Sequence, residues 1–148
     1  MIPNHYLAGL NTMHQAQLAR GFAQTRGVWL RSSSLASPSA LRLMSSSRFA
    51  GMHLEVLGFA RLPVIPFWRY DLIVLEQEDE EATPGMIARI RRVRALSSAP
   101  LVVLTRRPQR EVTLAGLNAG ADAVTSLLTQ ERVLLAHWGA MLQRWKAA

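Results

Sequence analysis

The chain has no cysteine, which excludes disulfides and thiolate-bound metal and is compatible with a reducing compartment. It is nearly without lysine: Lys146 stands alone, so 16 of its 17 formal cations are arginine. No Asp or Glu occurs before Glu55. No apolar run approaches the ~20 residues of a membrane span. The opening stretch MIPNHYLAGLNTMHQ has neither the charged start nor the apolar segment of a secretory signal. The expectation is a cytoplasmic protein with no membrane partner. The histidines His5, His14, His53 and His137 are scattered, so neither a metal cluster nor a nucleophilic triad is expected.

What is present fits one globular domain: 148 residues, 49% of them apolar, enough to bury a core. The net charge of +7 can attract nucleic acid or acidic partners. No cluster pairs arginines with aromatics in the manner of a nucleic-acid binder, so the arginines are expected on a solvated surface, with no direct nucleic-acid contact by this domain.

Residues Asn4 to Gln24 carry Tyr6, Leu7, Leu10, Met13, Leu18 and Phe22 at roughly helical spacing, which predicts an N-terminal helical extension over 1–26. From Gly27 onward, over 27–148, strands and helices alternate. GVWLRSS, HLEVLGFA, YDLIVLE, APLVVLT and DAVTSL read as strands. The serine-rich segment closing at Gly51, Gly85 to about Leu96, QREVTLAGLNAGA to Gly120, and a last helix capped by Thr129 read as helices. Pro63 and Pro66 in RLPVIPFWR forbid a regular helix there. Such alternation implies α/β architecture, a doubly wound, five-stranded parallel sheet. Ligands of such sheets sit beyond the carboxyl ends of the strands, which directs attention to Ser32, Ser33, Glu76, Thr105 and Ser126.

YDLIVLE, TPGMIARIRRVRALSSAPLVVLT, LAGLNAGADAV and the last helix together resemble the receiver domain of bacterial two-component response regulators. The resemblance is closest from Asp71 to Asp122, extends over Gly27 to Ala60, and does not include residues 1–26. It implies a phosphoryl switch: an aspartate ending the third strand, two acids after the first strand that hold Mg²⁺, a Thr or Ser ending the fourth strand, a lysine after the fifth, and an aromatic on the fifth strand that reorients. Magnesium wants oxygen ligands, and a transferring phosphoryl group needs metal and lysine to neutralise it.

Carried onto this sequence, the phosphoacceptor position is Glu76 and the acidic pair falls on Ser32 and Ser33. The lysine position is Leu127, followed by Leu128 in place of a proline. The aromatic position is Val124, and Thr105 alone is retained. These departures predict a degenerate, phosphorylation-independent pseudo-receiver with no catalytic residue, cofactor or metal. Arg106 is expected either to pair with Glu76 and lock the site or to point to solvent. The acidic run Glu78 to Glu81 is expected to be a solvated loop rather than a cation site.

On the last helix Leu134, Trp138, Met141 and Trp145 form one stripe, with Val133, Leu135 and Leu142 beside it. That surplus predicts an interface, joined by Leu10 and Met13 of the extension. The resulting expectation is a signalling or transcription-regulatory homodimerisation module, working with a partner signalling protein or a linked DNA-binding output domain. Two alternatives stand beside it. One is a ligand sensor binding a nucleotide second messenger through arginines such as Arg106 and Arg110. The other is a true phosphoacceptor using the displaced carboxylate Asp79.

Overall fold

The structure is a computed structural model that describes residues 24–33, 35–49, 51–78 and 83–147. Strands β1 (Arg26–Arg31), β2 (His53–Gly58), β3 (Leu72–Gln77), β4 (Leu101–Thr105) and β5 (Ala123–Ser126) alternate with helices α1 (Pro38–Phe49), α2 (Thr83–Leu96), α3 (Arg110–Ala119) and α4 (Glu131–Ala147). All strand pairings are parallel, in the order β2-β1-β3-β4-β5. Every residue of β3 and β4 is buried, as consecutive apolar residues in a sheet covered on both faces require.

The period of two along each strand divides the core. Trp29, Leu72, Val74, Val102 and Leu104 face α1 and α4, meeting Ala40, Leu43, Leu134, Leu135, Trp138 and Leu142. Val28, Leu30, Ile73, Leu75, Leu101 and Val103 face the other way, against Met86, Ile90 and Val93 of α2. Each fully buried aliphatic side chain contributes about 1.5–3 kcal/mol.

Local chemistry sets the element ends. Ser37 caps α1: its hydroxyl accepts the Ala40 N–H at 3.1 Å, and Pro38 supplies a preset first helical position. α2 begins at Thr83, two residues before the expected Gly85, because Pro84 is tolerated in a first turn. α3 ends at Gly120, whose φ of +123° favours glycine. Arg94 of α2 is packed against that turn, its Nε donating to the Gly120 carbonyl at 2.6 Å and its Nη2 to Asp122. α4 begins at Glu131, two residues after the expected Thr129.

Between β2 and β3 there is no α-helix. Two 3₁₀ segments, Phe59–Val64 and Phe67–Arg69, fill the interval, as the prolines predict. Leu62, Ile65 and Phe67 anchor it in the core while Val64 and Trp68 stand 73% and 80% exposed. Tyr70 then donates to Oε2 of Glu55 at 2.6 Å, tying the start of β3 to β2. The predicted helix over 4–24, with Leu10 and Met13, lies outside the described residues.

Candidate functional site

The expected site is the carboxyl end of β1, β3 and β4. Glu76 is the penultimate residue of β3 and is 4% exposed. An isolated carboxylate at such depth would be strongly destabilising, so its partners define the site. Nε of Arg31 donates to Oε2 of Glu76 at 3.0 Å. Nε1 of Trp29 and Oγ of Ser37 donate to Oε1, at 3.2 Å and 2.7 Å. Both oxygens are therefore engaged by donors of the chain itself.

Each partner is placed by its element. Trp29 pairs with Val74 in the β1–β3 register, so its indole lies on the same face as Glu76, two rows earlier. Arg31 ends β1 with a side chain only 16% exposed. Its Nη1 also donates to the Leu35 carbonyl, and its Nη2 lies 3.7 Å from Oε1 of Glu78. Ser37 is the α1 cap, so a single hydroxyl joins the buried carboxylate to the start of that helix.

Of the residues expected at the site, Glu76 and Ser32 come together with the cluster, the Ser32 hydroxyl donating to Glu78. Ser33 turns to its own loop, its Oγ accepting the Leu35 N–H at 3.1 Å. Thr105 is buried but lies in the row of Gln77, not of Glu76. Successive residues face opposite sides, so Thr105 faces away from the carboxylate. With Gln77, Thr83, Met86 and Arg107 it lines a separate cleft of about 290 Å³. The Arg106–Glu76 pair is not formed. Arg106 is exposed, and the cation on Glu76 is Arg31. The reason is geometric: Arg31 is the last residue of β1 and still within the sheet, while Arg106 lies beyond the end of β4.

Val124 is packed beneath α3. A Cβ built on Gly116 would lie 2.7 Å from its Cγ2, so a larger ring at position 124 has no room against the helix. Leu127 turns down against the Trp29 core rather than toward Glu76. The stripe predicted as an interface is core: Leu134, Trp138 and Met141 are 1%, 0% and 6% exposed, and Trp145 is partly buried against both cores. The exposed large apolar residues nearby are Leu117, Leu128 and Val133.

The receiver class implies Mg²⁺ beside the phosphoacceptor, and the donor set does not fit it. Magnesium needs free oxygen ligands in near-octahedral order. Here a guanidinium stands against the carboxylate, both carboxylate oxygens accept hydrogen bonds, and positions 32 and 33 are neutral serines.

The fold, with its parallel sheet and its strand order, is that of a CheY-like receiver. Solved structures agree. A two-component response regulator from Clostridium difficile shares 18% identity, with 82% of this chain and 98% of that chain covered and a TM-score of 0.66. The receiver domain of Francisella response regulator 1452 shares 16%, covering 82% and 98% at a TM-score of 0.63. A response regulator from Desulfuromonas acetoxidans shares 18%, covering 81% and 98% at 0.64. At these identities what is shared is the fold. No protein-family model and no curated protein sequence matches the chain.

Three residues of the cluster were not singled out from the sequence: Trp29, Arg31 and Ser37. Arg31 had a signal, a lone cation closing the apolar run VWL. Trp29 had none, being indistinguishable from a core aromatic.

Proposed function

We propose that this chain is a phosphorylation-independent pseudo-receiver, a regulatory module of signalling or transcription control that works by protein–protein contact. It acts as a homodimer and with a partner signalling protein or a linked DNA-binding output domain. The observation that carries this is the Arg31–Glu76 pair. A receiver that takes up phosphate keeps its acceptor carboxylate open to metal and to in-line attack. Here an internal cation neutralises that carboxylate, and Trp29 and Ser37 occupy its other oxygen.

The test is incubation of the intact chain with Mg²⁺ and acetyl phosphate, and separately with beryllofluoride, read by intact mass and by sedimentation. No adduct and no change of oligomeric state are expected. A stoichiometric phospho-adduct overturns the proposal, and its loss in Asp79→Asn would install the displaced-carboxylate alternative. Arg106 and Arg110 are both exposed, and a saturable thermal stabilisation by a cyclic dinucleotide that is lost in Arg106→Gln with Arg110→Gln would favour the ligand-sensing alternative.

Dimerisation draws support from exposed apolar residues rather than from the α4 stripe. Leu117, Leu128 and Val133 are 41%, 80% and 55% exposed, in α3, after β5 and in α4. The combined Leu128→Glu and Val133→Glu variant is expected to sediment as a monomer where the unaltered chain sediments as a dimer. A monomeric unaltered chain at tens of micromolar would remove dimerisation from the proposal.

A further inference from the structure

The edge of the sheet opposite Glu76, where the strands begin, is charged differently from the carboxyl edge. Arg26, Arg48, Arg69, Arg144 and Lys146 are all exposed there. Their place at this edge is fixed by contacts of the chain. The Arg26 carbonyl accepts the Asp71 N–H at 2.7 Å, and the Arg48 carbonyl accepts that of Gly51 at 3.1 Å. Nζ of Lys146 donates to Thr25 at 3.4 Å. Arg144 lines a cleft with Pro100 and Asp122, just before β4 and β5.

Among the described residues none of these five cations forms an ion pair. The acids nearby are already hydrogen-bonded within the chain. Asp71 accepts the Arg26 N–H, Asp122 accepts Arg94 and the Leu101 N–H, and Glu55 accepts Tyr70. At the carboxyl edge, by contrast, arginines and acids interleave.

Trp68 stands beside this row of charge, three residues before Asp71. It is 80% exposed, the guanidinium of Arg69 lies 5.1 Å from its ring centroid, and Val64 on the same connection is 73% exposed. Buried Leu62, Ile65 and Phe67 fix this connection, so the tryptophan is displayed on a held backbone. A rigidly presented, solvated tryptophan with the Arg69 guanidinium over its ring marks a binding surface. The exposure of Trp68 and Val64 makes the feature a projection.

We infer that this amino-terminal edge docks on an anionic lipid bilayer surface, with Trp68 entering the headgroup layer and the five cations facing the lipid charge. An extended anionic surface matches an edge whose cations span from the end of α1 to the end of α4. Tryptophan is the side chain suited to the interface, apolar in body with a polar N–H. The exposed neighbour on the connection is aliphatic Val64, whereas single-stranded nucleic acid calls for successive aromatic platforms. The chain also leaves the described fold at Gln24, on this same edge, and residues 1–23 contain no acid. A surface contact of this kind needs no spanning helix, and among the described residues no helix is long and apolar enough to cross a membrane; the inference is independent of the phosphorylation proposal.

The test uses the full chain and vesicles of phosphatidylcholine with or without 30% phosphatidylglycerol. Trp29 and Trp138 are fully buried and Trp145 is partly so, so a change in emission on docking reports chiefly Trp68. Expected are co-sedimentation and a blue shift with the anionic vesicles only, both reversed by salt. Trp68→Phe should abolish the shift and weaken binding, and Arg48→Gln with Arg144→Gln should weaken it about fivefold per cation removed.

Absence of binding to anionic vesicles at low salt overturns the inference, as does equal binding to neutral ones. Binding unchanged in both the Trp68 and the paired arginine variants also overturns it, since another segment would then be responsible. Quenching of Trp68 by a single-stranded oligonucleotide without vesicle binding overturns it in favour of nucleic acid.

Discussion

Nε of Arg31 lies 3.0 Å from Oε2 of Glu76, with side chains 16% and 5% exposed. Two charges this far from water are mutually dependent: removing one strands the other in a poor dielectric. Arg31→Met and Glu76→Gln are each expected to lose about 3–5 kcal/mol of unfolding free energy. The double variant Arg31→Met with Glu76→Gln should lose clearly less than the sum, because no unpaired charge remains. Urea unfolding of the four proteins measures the coupling.

Restoring the family's acceptor chemistry by one change is expected to fail. In Glu76→Asp the carboxylate is one methylene shorter, but Arg31 still faces it and positions 32 and 33 remain neutral. No phospho-adduct should form with Mg²⁺ and acetyl phosphate, as read by intact mass. A labelled Glu76→Asp protein would show that the side-chain length alone, and not Arg31, closes the site.

The contact between Gly116 and Val124 is predicted to be unforgiving. A methyl at position 116 would fall 2.7 Å from Cγ2 of Val124, inside contact distance. Gly116→Ala should cost about 1–3 kcal/mol, the usual range for overpacking, and Val124→Ala in the same chain should recover part of it. Val124→Tyr, which places an aromatic where the receiver family has one, should destabilise the fold by at least as much.

Trp138 distinguishes core from interface. It is fully buried within the single chain, so Trp138→Ala is expected to cost about 3–5 kcal/mol at every protein concentration. A change that altered only the association state, leaving the unfolding free energy of the monomer intact, would return Trp138 to an interface.

Tyr70 gives a pH dependence of definite sign. Burial, and then its hydrogen bond to Glu55, push the phenol from 10.0 up to about 12. The folded chain thus favours the protonated form. The stability this confers is complete below about pH 10 and is lost as pH rises through about 12. Comparing the pH dependence of unfolding with that of Tyr70→Phe should show the extra decline only in the tyrosine protein. Phenolate absorbance should show one late titration that the variant lacks.

The sheet was readable because LIVLE and LVVLT are apolar on successive residues and are bounded by breakers, a pattern few structures other than a covered strand satisfy. The irregular second connection was readable from Pro63 and Pro66. The position of Glu76 followed from the strand that carries it. Its partners did not, because Arg31 is 45 residues away and Trp29 is 47, and which side chains meet across β1 and β3 depends on register and face rather than on sequence spacing. The α4 stripe misled for a related reason. The sequence suggested that a helix on a sheet buries one face, but α1 lies beside α4, and Ala40 and Leu43 complete a wider trough that takes in Leu134, Leu135, Trp138 and Leu142 together.

The hydroxyl of Ser37 that caps α1 also holds Oε1 of Glu76, and this sharing bears on how the chain can diverge. Opening the carboxylate would require altering Arg31, Trp29 and Ser37, and each alteration taken alone leaves a buried charge unpaired, strips a donor from a buried carboxylate oxygen or uncaps a helix. Every single-step route to an open carboxylate therefore crosses a less stable protein. The arrangement works as an evolutionary barrier, one that single substitutions cross only at a loss of stability.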